Sequence, residues 1–254
     1  MRTSLRWTIL VMVVLLAACA HRPVHNPLAQ WVPSDNRDER RPQLIVLHYT
    51  DQESAEQSLK TLRTRNSGGP VSAHYLIGID GRRYQLVADN ERAWHAGAGS
   101  WGTISEVNSA SIGIEIDNDG HKPFPPQQIE SLIVLLRDLT ERLRIPPRQV
   151  IGHSDLAPSR KVDPGPLFPW KQLADAGFGI WPDMSKVADM PESFDPWMAM
   201  KALGYPLDNR PAAVRAFHHH FRGMEGTELD EEDRRILYAL TRLPDAPPPA
   251  ASNP

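Results

Sequence analysis

The chain of 254 residues has one cysteine, Cys19. A single thiol cannot form an intrachain disulfide, so the fold must rest on a packed core, and Cys19 needs another purpose. A strong charge of either sign is also missing. Twenty-eight basic side chains against 31 acidic ones leave a formal net charge of -3. No bulk basic field exists to attract nucleic acid, and none is expected as a partner. Long apolar runs are nearly absent too. The one that stands out, "TILVMVVLLAA", is short of the roughly 18 residues that span a bilayer comfortably.

That run comes directly after "MRTSLRW", whose two arginines supply a charged n-region, and it fits the h-region of a bacterial export signal over residues 1–18. It ends in Leu16-Ala17-Ala18-Cys19, which resembles a lipobox. Cys19 is then the lipidated first residue of the mature protein. Ala20 behind it, in place of an aspartate, favours the outer membrane of a Gram-negative cell, facing the periplasm. Residues 19–38 are expected to be a tether.

From Arg41 onward the pattern is globular. "QLIVLH" reads as a buried strand ending at His48. "SAEQSLKTLRTR" reads as a helix, and "VSAHYLIGIDGRRYQLV" as two strands around the Asp80-Gly81 turn. "SIGIEI" is a strand closing at Glu115 and Ile116. In "PPQQIESLIVLLRDLTERLRIPP", Ile129, Leu132, Ile133, Leu136 and Leu143 form one stripe at helical spacing, with prolines outside both ends. "RQVIG" is a last strand leading to His153. Strands alternating with helices predict an α/β domain over 39–182 with a mixed central sheet flanked by helices. Three further helices over 190–243 predict a small helical domain, and 244–254 a loose tail.

His48, Glu115 and His153 each stand at or just past the C-terminal end of an expected strand, the edge where α/β sheets bind ligands. The stretch "VIGHSDLAPSRKVDPGP" adds Asp155, Lys161 and Asp163 in a proline-braced loop. Histidine and carboxylate groups gathered this way suit one catalytic zinc, which takes three protein ligands and keeps an open position. His48 and His153 offer nitrogen. Asp163 is the better oxygen ligand, with Asp155 as a cap or brace. Glu115 is placed to move protons, and Lys161 to steady a developing negative charge.

With "IVLHYT", "AWHAG", "SIGIEI" and "IGHSDLAPSRKVDPGPLFPW", the chain resembles the zinc-dependent N-acetylmuramoyl-L-alanine amidases, which share a fold with phage-T7-type lysozyme and the peptidoglycan recognition proteins. The resemblance covers roughly residues 40–180 and is nearest to the family's lipoprotein branch. It implies one Zn2+ held by His48, His153 and Asp163, Glu115 as acid/base and Lys161 at the oxyanion. It also implies hydrolysis of the amide between muramic acid, intact or anhydro, and L-alanine of peptidoglycan. Ala73 stands where the phage branch has a tyrosine, and Asp163 where that branch has a cysteine. The C-terminal helices resemble a peptidoglycan-binding module. The alternatives are a non-catalytic peptidoglycan-binding lipoprotein, a stem-peptide metallopeptidase and a structural lipoprotein.

Around this centre, Trp94, His95 and Asn108 are expected along the substrate groove, with His74 at its floor. His218, His219 and His220 look like a metal tract, but consecutive helical residues diverge by about 100°, so a helix face is expected instead. Phe217 and Phe221, one turn apart, are expected in the core. A monomer is expected.

Overall fold

The structure, a computed structural model, describes residues 25–39, 42–66, 69–187 and 189–243. Its elements run β1 (Gln30–Trp31), β2 (Arg37–Glu39), β3 (Leu44–Tyr49), α1 (Ala55–Arg63), β4 (Arg65–Asn66), β5 (Gly69–Pro70), β6 (Tyr75–Ile77), β7 (Arg83–Gln85) and β8 (Glu91–Ala93). Then come α2 (Val107–Ala110), β9 (Ser111–Ile116), α3 (Pro126–Leu143), β10 (Val150–Gly152), α4 (His153–Leu156), α5 (Trp170–Asp175), α6 (Pro196–Leu203), α7 (Arg210–Phe221) and α8 (Glu231–Thr241).

Six strands make the central sheet, in the order β1-β7-β6-β9-β3-β10. Only β6 and β7 pair antiparallel; the other neighbours are parallel, so the sheet is mixed as expected. The antiparallel pair is closed by the Asp80-Gly81 turn, where Gly81 adopts φ 80°. A side chain at Gly81 would also meet the Gln127 carbonyl at 2.8 Å, so glycine fits on both counts.

Alternation along the strands separates two layers. Ile45 and Leu47 of β3 and Ile112, Ile114 and Ile116 of β9 pack against Ile129, Leu132, Leu135, Leu136 and Leu139 of α3. Leu44 and Val46 face the other way, onto Val107, Ile151 and Leu156. Each such fully buried aliphatic side chain contributes about 1.5–3 kcal/mol. Ile133 and Leu143 sit at the margin of the α3 stripe, half-buried. Prolines at 125 and 126 open α3, and Arg144 in the left-handed region closes it.

The stretch expected to be a tether is partly folded. β1 pairs with β7, and β2 pairs antiparallel with β8. Asn26 is locked in place as well: its backbone N–H donates to Gln85 Oε1 at 2.8 Å and its amide to Asp138 Oδ2 at 2.7 Å. An open sheet edge gains from any strand that caps it. The folded unit therefore begins near Asn26, well before residue 39.

α6, α7 and α8 close on their own core of Met200, Phe217, Phe221, Leu237 and Leu240. Asp195, Asn209 and Asp230 cap their N-termini. Cys19, residues 1–18, expected to be a signal segment, and the tail 244–254 lie outside the described residues. Among the described residues, no helix is long and apolar enough to cross a membrane.

Candidate metal centre

β9, β3 and β10 lie side by side and parallel, so their C-terminal ends share one edge. Register sets His48 opposite Glu115 and Leu47 opposite Gly152, which brings His153 to the same edge. By alternation, His48 and Glu115 leave the sheet on the face away from α3. His153 opens α4, and the Ser154 N–H donates to the Asp163 carbonyl at 2.8 Å, folding the loop back. His48 Nδ1 lies 2.9 Å from His153 Nδ1 and 3.0 Å from Asp163 Oδ2, and His153 Nδ1 lies 3.0 Å from the same oxygen. Tetrahedral bonds of about 2.0 Å hold ligand atoms roughly 3.3 Å apart, so this trio needs to open by only a few tenths of an ångström.

The outer hydrogen bonds decide which nitrogens face inward. Ser111 Oγ donates to the Val107 carbonyl at 2.6 Å, so it accepts from His95 Nε2, 3.1 Å away. A neutral His95 then presents Nδ1 as acceptor to His48 Nε2–H at 3.0 Å. His153 Nε2–H donates to the Ala96 carbonyl at 2.9 Å. Both histidines are left with bare Nδ1 lone pairs, pointed at each other and at a carboxylate, as candidate ligands for a metal. Only a positive charge among them relieves the repulsion, and the donor set of two imidazoles and one carboxylate fits zinc.

Burial, then the neighbouring His153, holds His48 down at about 4, so it is neutral and able to ligate at pH 7. Burial pushes the Asp163 carboxyl up, but positive charge and N–H donation from the imidazole side outweigh burial and hold the group well below the usual carboxylate range; with both rings neutral, that charge has to come from elsewhere. Burial, reinforced by the charge of Asp163, raises the Glu115 carboxyl well above its ordinary value, with Lys161 opposing. Glu115 Oε2 is buried without a hydrogen-bond partner among the described residues. All five groups line one cavity of about 390 Å³.

Trp94 and His95 line that cavity too. His95 is tied into the relay from Ser111 to His48, so its ring serves the ligand rather than standing free for substrate. Two residues expected at the groove lie elsewhere. His74 is wholly buried, accepting from the Gly113 N–H at Nδ1 and donating to the Glu91 carbonyl at Nε2. The Asn108 side-chain oxygen accepts the His95 and Ala96 N–H groups and so braces their backbone. Ser111 and Gly113 were not legible as site residues. A Cβ on Gly113 would come within 2.6 Å of His95 Cδ2 and Nδ1, so glycine there makes room for the ring. Asp155 braces the loop, its Oδ2 accepting the Gly152 N–H at 2.7 Å.

A hydrolase that works with a single metal ion can use this layout: three donor atoms gathered at a sheet edge, an open side, and a buried carboxyl raised well above its ordinary range. The comparisons give that class a family. A model of the N-acetylmuramoyl-L-alanine amidase family matches residues 38–166, and the chain belongs to it. It is 38% identical over 232 residues to the N-acetylmuramoyl-L-alanine amidase AmiD of Escherichia coli K12, spanning 79% of this chain and 82% of that one. It is 32% identical to the 1,6-anhydro-N-acetylmuramyl-L-alanine amidase AmpD of Enterobacter cloacae, over 57% of this chain and 88% of that one. Among solved structures, AmiD from E. coli, in complex with anhydro-N-acetylmuramic acid-L-Ala-D-γ-Glu-L-Lys, superposes with a TM-score of 0.70 at 36% identity, covering 79% of this chain and 89% of that one. AmpDh3 of Pseudomonas aeruginosa gives a TM-score of 0.72 at 32% identity, over 88% of this chain and 96% of that one. The chain is thus an amidase of this family, with the family's mixed sheet.

Proposed function

We propose that this amidase is zinc-dependent and hydrolyses the amide between the lactyl group of N-acetylmuramic acid, or its anhydro form, and L-alanine. The observation that carries the reading is the meeting of His48 Nδ1, His153 Nδ1 and Asp163 Oδ2 on the cavity that also holds Glu115. The named substrates of the relatives support the bond chosen. A zinc ion held there supplies Lewis acidity and an activated water at neutral pH.

The chain's own groups do the rest. Glu115, its carboxyl raised well above the ordinary range by burial and its Oε2 lacking a partner among the described residues, takes a proton from the attacking water. It returns that proton to the leaving nitrogen, so the products are a lactyl carboxylate and a free L-alanine amine. Lys161 on the same cavity sets its positive charge beside the carbonyl oxygen as that oxygen becomes negative. The Trp94 indole, also on the wall, offers a face to sugar or stem peptide. We further propose that residues 1–18 are removed and that Cys19 carries lipid, holding a monomer on the periplasmic side of the outer membrane.

Sacculi or muropeptides digested with protein lacking residues 1–19, with and without a strong chelator, test the activity. Mass spectrometry of the products is expected to show new free L-alanine amines that vanish on chelation and return with zinc. A cut inside the stem would make the protein a peptidase instead. No cleavage by zinc-loaded protein would leave a binding protein of the same fold.

A further inference from the structure

We propose that the C-terminal helical unit is a positioning element for the metal-binding loop, acting through a buried junction at Asp155. The inference rests on the metal-centre reading above and extends it to residues far from the cavity.

Asp155 is fully buried, and its carboxylate is satisfied by three groups. The Gly152 N–H donates to Oδ2 at 2.7 Å, the Tyr205 hydroxyl to Oδ1 at 2.8 Å, and His220 Nδ1 lies 2.8 Å from Oδ2. Only the first belongs to the loop itself. Tyr205 and His220 come from the helical unit, 50 and 65 residues along the chain, beyond Pro166, where the family match ends. Both are buried, and the His220 ring stacks on Trp170 with centroids 3.8 Å apart and planes 11° from parallel. Beside Asp155, burial first and then its charge push the Tyr205 phenol well above 10, so the hydroxyl keeps its proton and donates.

The helical unit grips the same loop elsewhere. Arg215 donates to the Pro158 carbonyl at 3.0 Å, and His219 Nδ1 lies 3.4 Å from the Val162 carbonyl. The gripped stretch contains His153, Lys161 and Asp163. Asp155 also closes the first turn of α4, whose first residue is His153. A buried carboxylate stripped of two of its three donors must turn toward water or find others. Either movement rotates α4 and shifts His153 Nδ1. Groups that fix a ligand's geometry from outside the coordination sphere typically change metal affinity by about 10–100-fold.

Full-length folded variants without the signal segment test this. Tyr205→Phe removes one donor, and His220→Phe removes the other while keeping the stack on Trp170. His220→Asn keeps an N–H near the Nδ1 position. Zinc affinity is read by competition with a chromogenic chelator, and amide-hydrogen exchange over residues 152–163 is read on metal-free protein. The double Phe variant is expected to bind zinc about 10–100-fold more weakly and to exchange faster in that stretch. The Asn variant is expected within about threefold of wild type. Saturating zinc should restore kcat with KM unchanged. A double variant that melts at a lower temperature yet keeps wild-type zinc affinity and exchange would overturn the proposal, leaving the junction merely structural. The wild-type titration separates the two readings: failure to bind zinc at all sinks the metal centre, while the exchange data judge the junction without metal.

Discussion

Two groups of histidines occupy this molecule, and they behave in opposite ways. His48, His95 and His153 are separated by 47 and 105 residues from His48 outward, yet their rings touch at one cavity. His218, His219 and His220 are consecutive on α7, and each turns to a different carboxylate. His218 pairs with Asp233, His219 with Glu225 and His220 with Asp155, each at 2.8 Å. The turn of about 100° per helical residue sends neighbours apart. Three parallel strand ends bring distant residues together. A run of like residues is therefore poor evidence for a site, and convergence at a sheet edge is better evidence.

The largest effect should come from breaking the convergent group. His153→Ala is expected to abolish zinc binding and reduce turnover by at least about 10³-fold, read by metal analysis and product release, while His218→Ala, whose ring pairs with Asp233 away from the loop, leaves both intact. Gly113→Ala comes next. Its methyl displaces His95 and with it the hydrogen bond that fixes His48, so zinc affinity is expected to fall by about 10–100-fold with the fold retained.

A third effect belongs to the metal-free protein. His48 sits at about 4 when folded and returns to its ordinary 6.5 when unfolded. Between those values the unfolded chain binds more protons, so stability rises with pH and is lost as pH falls from 6.5 toward 4. Melting temperature against pH after chelation should show that slope, and His48→Gln should flatten it. The smallest effects belong to His218 and His219, since His220 is part of the Asp155 junction. His218→Leu is expected to cost about 1–3 kcal/mol by denaturant unfolding, because Asp233 keeps Arg222 and its cap bonds, with zinc affinity unchanged. His219→Gln should cost about 0.5–1.5 kcal/mol: its partner Glu225 is 69% exposed, so the loss comes from the buried ring and its contact with the Val162 carbonyl.

The same contrast explains what could be read in advance. The stretch "SIGIEI" announces a strand, and its alternation places three isoleucines in the core and Ser111, Gly113 and Glu115 on the site face. Glu115 was legible because a carboxyl at a strand end suggests chemistry. Ser111 and Gly113 were not, because their meaning lies in a ring from Trp94-His95 that folding lays across them. His74, expected at the cleft floor, lies deeper: its nitrogens are taken by backbone groups at Gly113 and Glu91. The strands at β1 and β2 escaped notice because two or three residues carry no period to detect.

The anchoring of Asn26 bears on where the enzyme can work. Under the proposed lipidation of Cys19, Asn26 follows seven residues later, a span of at most about 25 Å even for a fully extended chain. An amidase moored that closely would trim only material drifting or lying next to its own membrane, and lengthening that span by insertion ahead of Asn26 should widen the zone of wall it can reach.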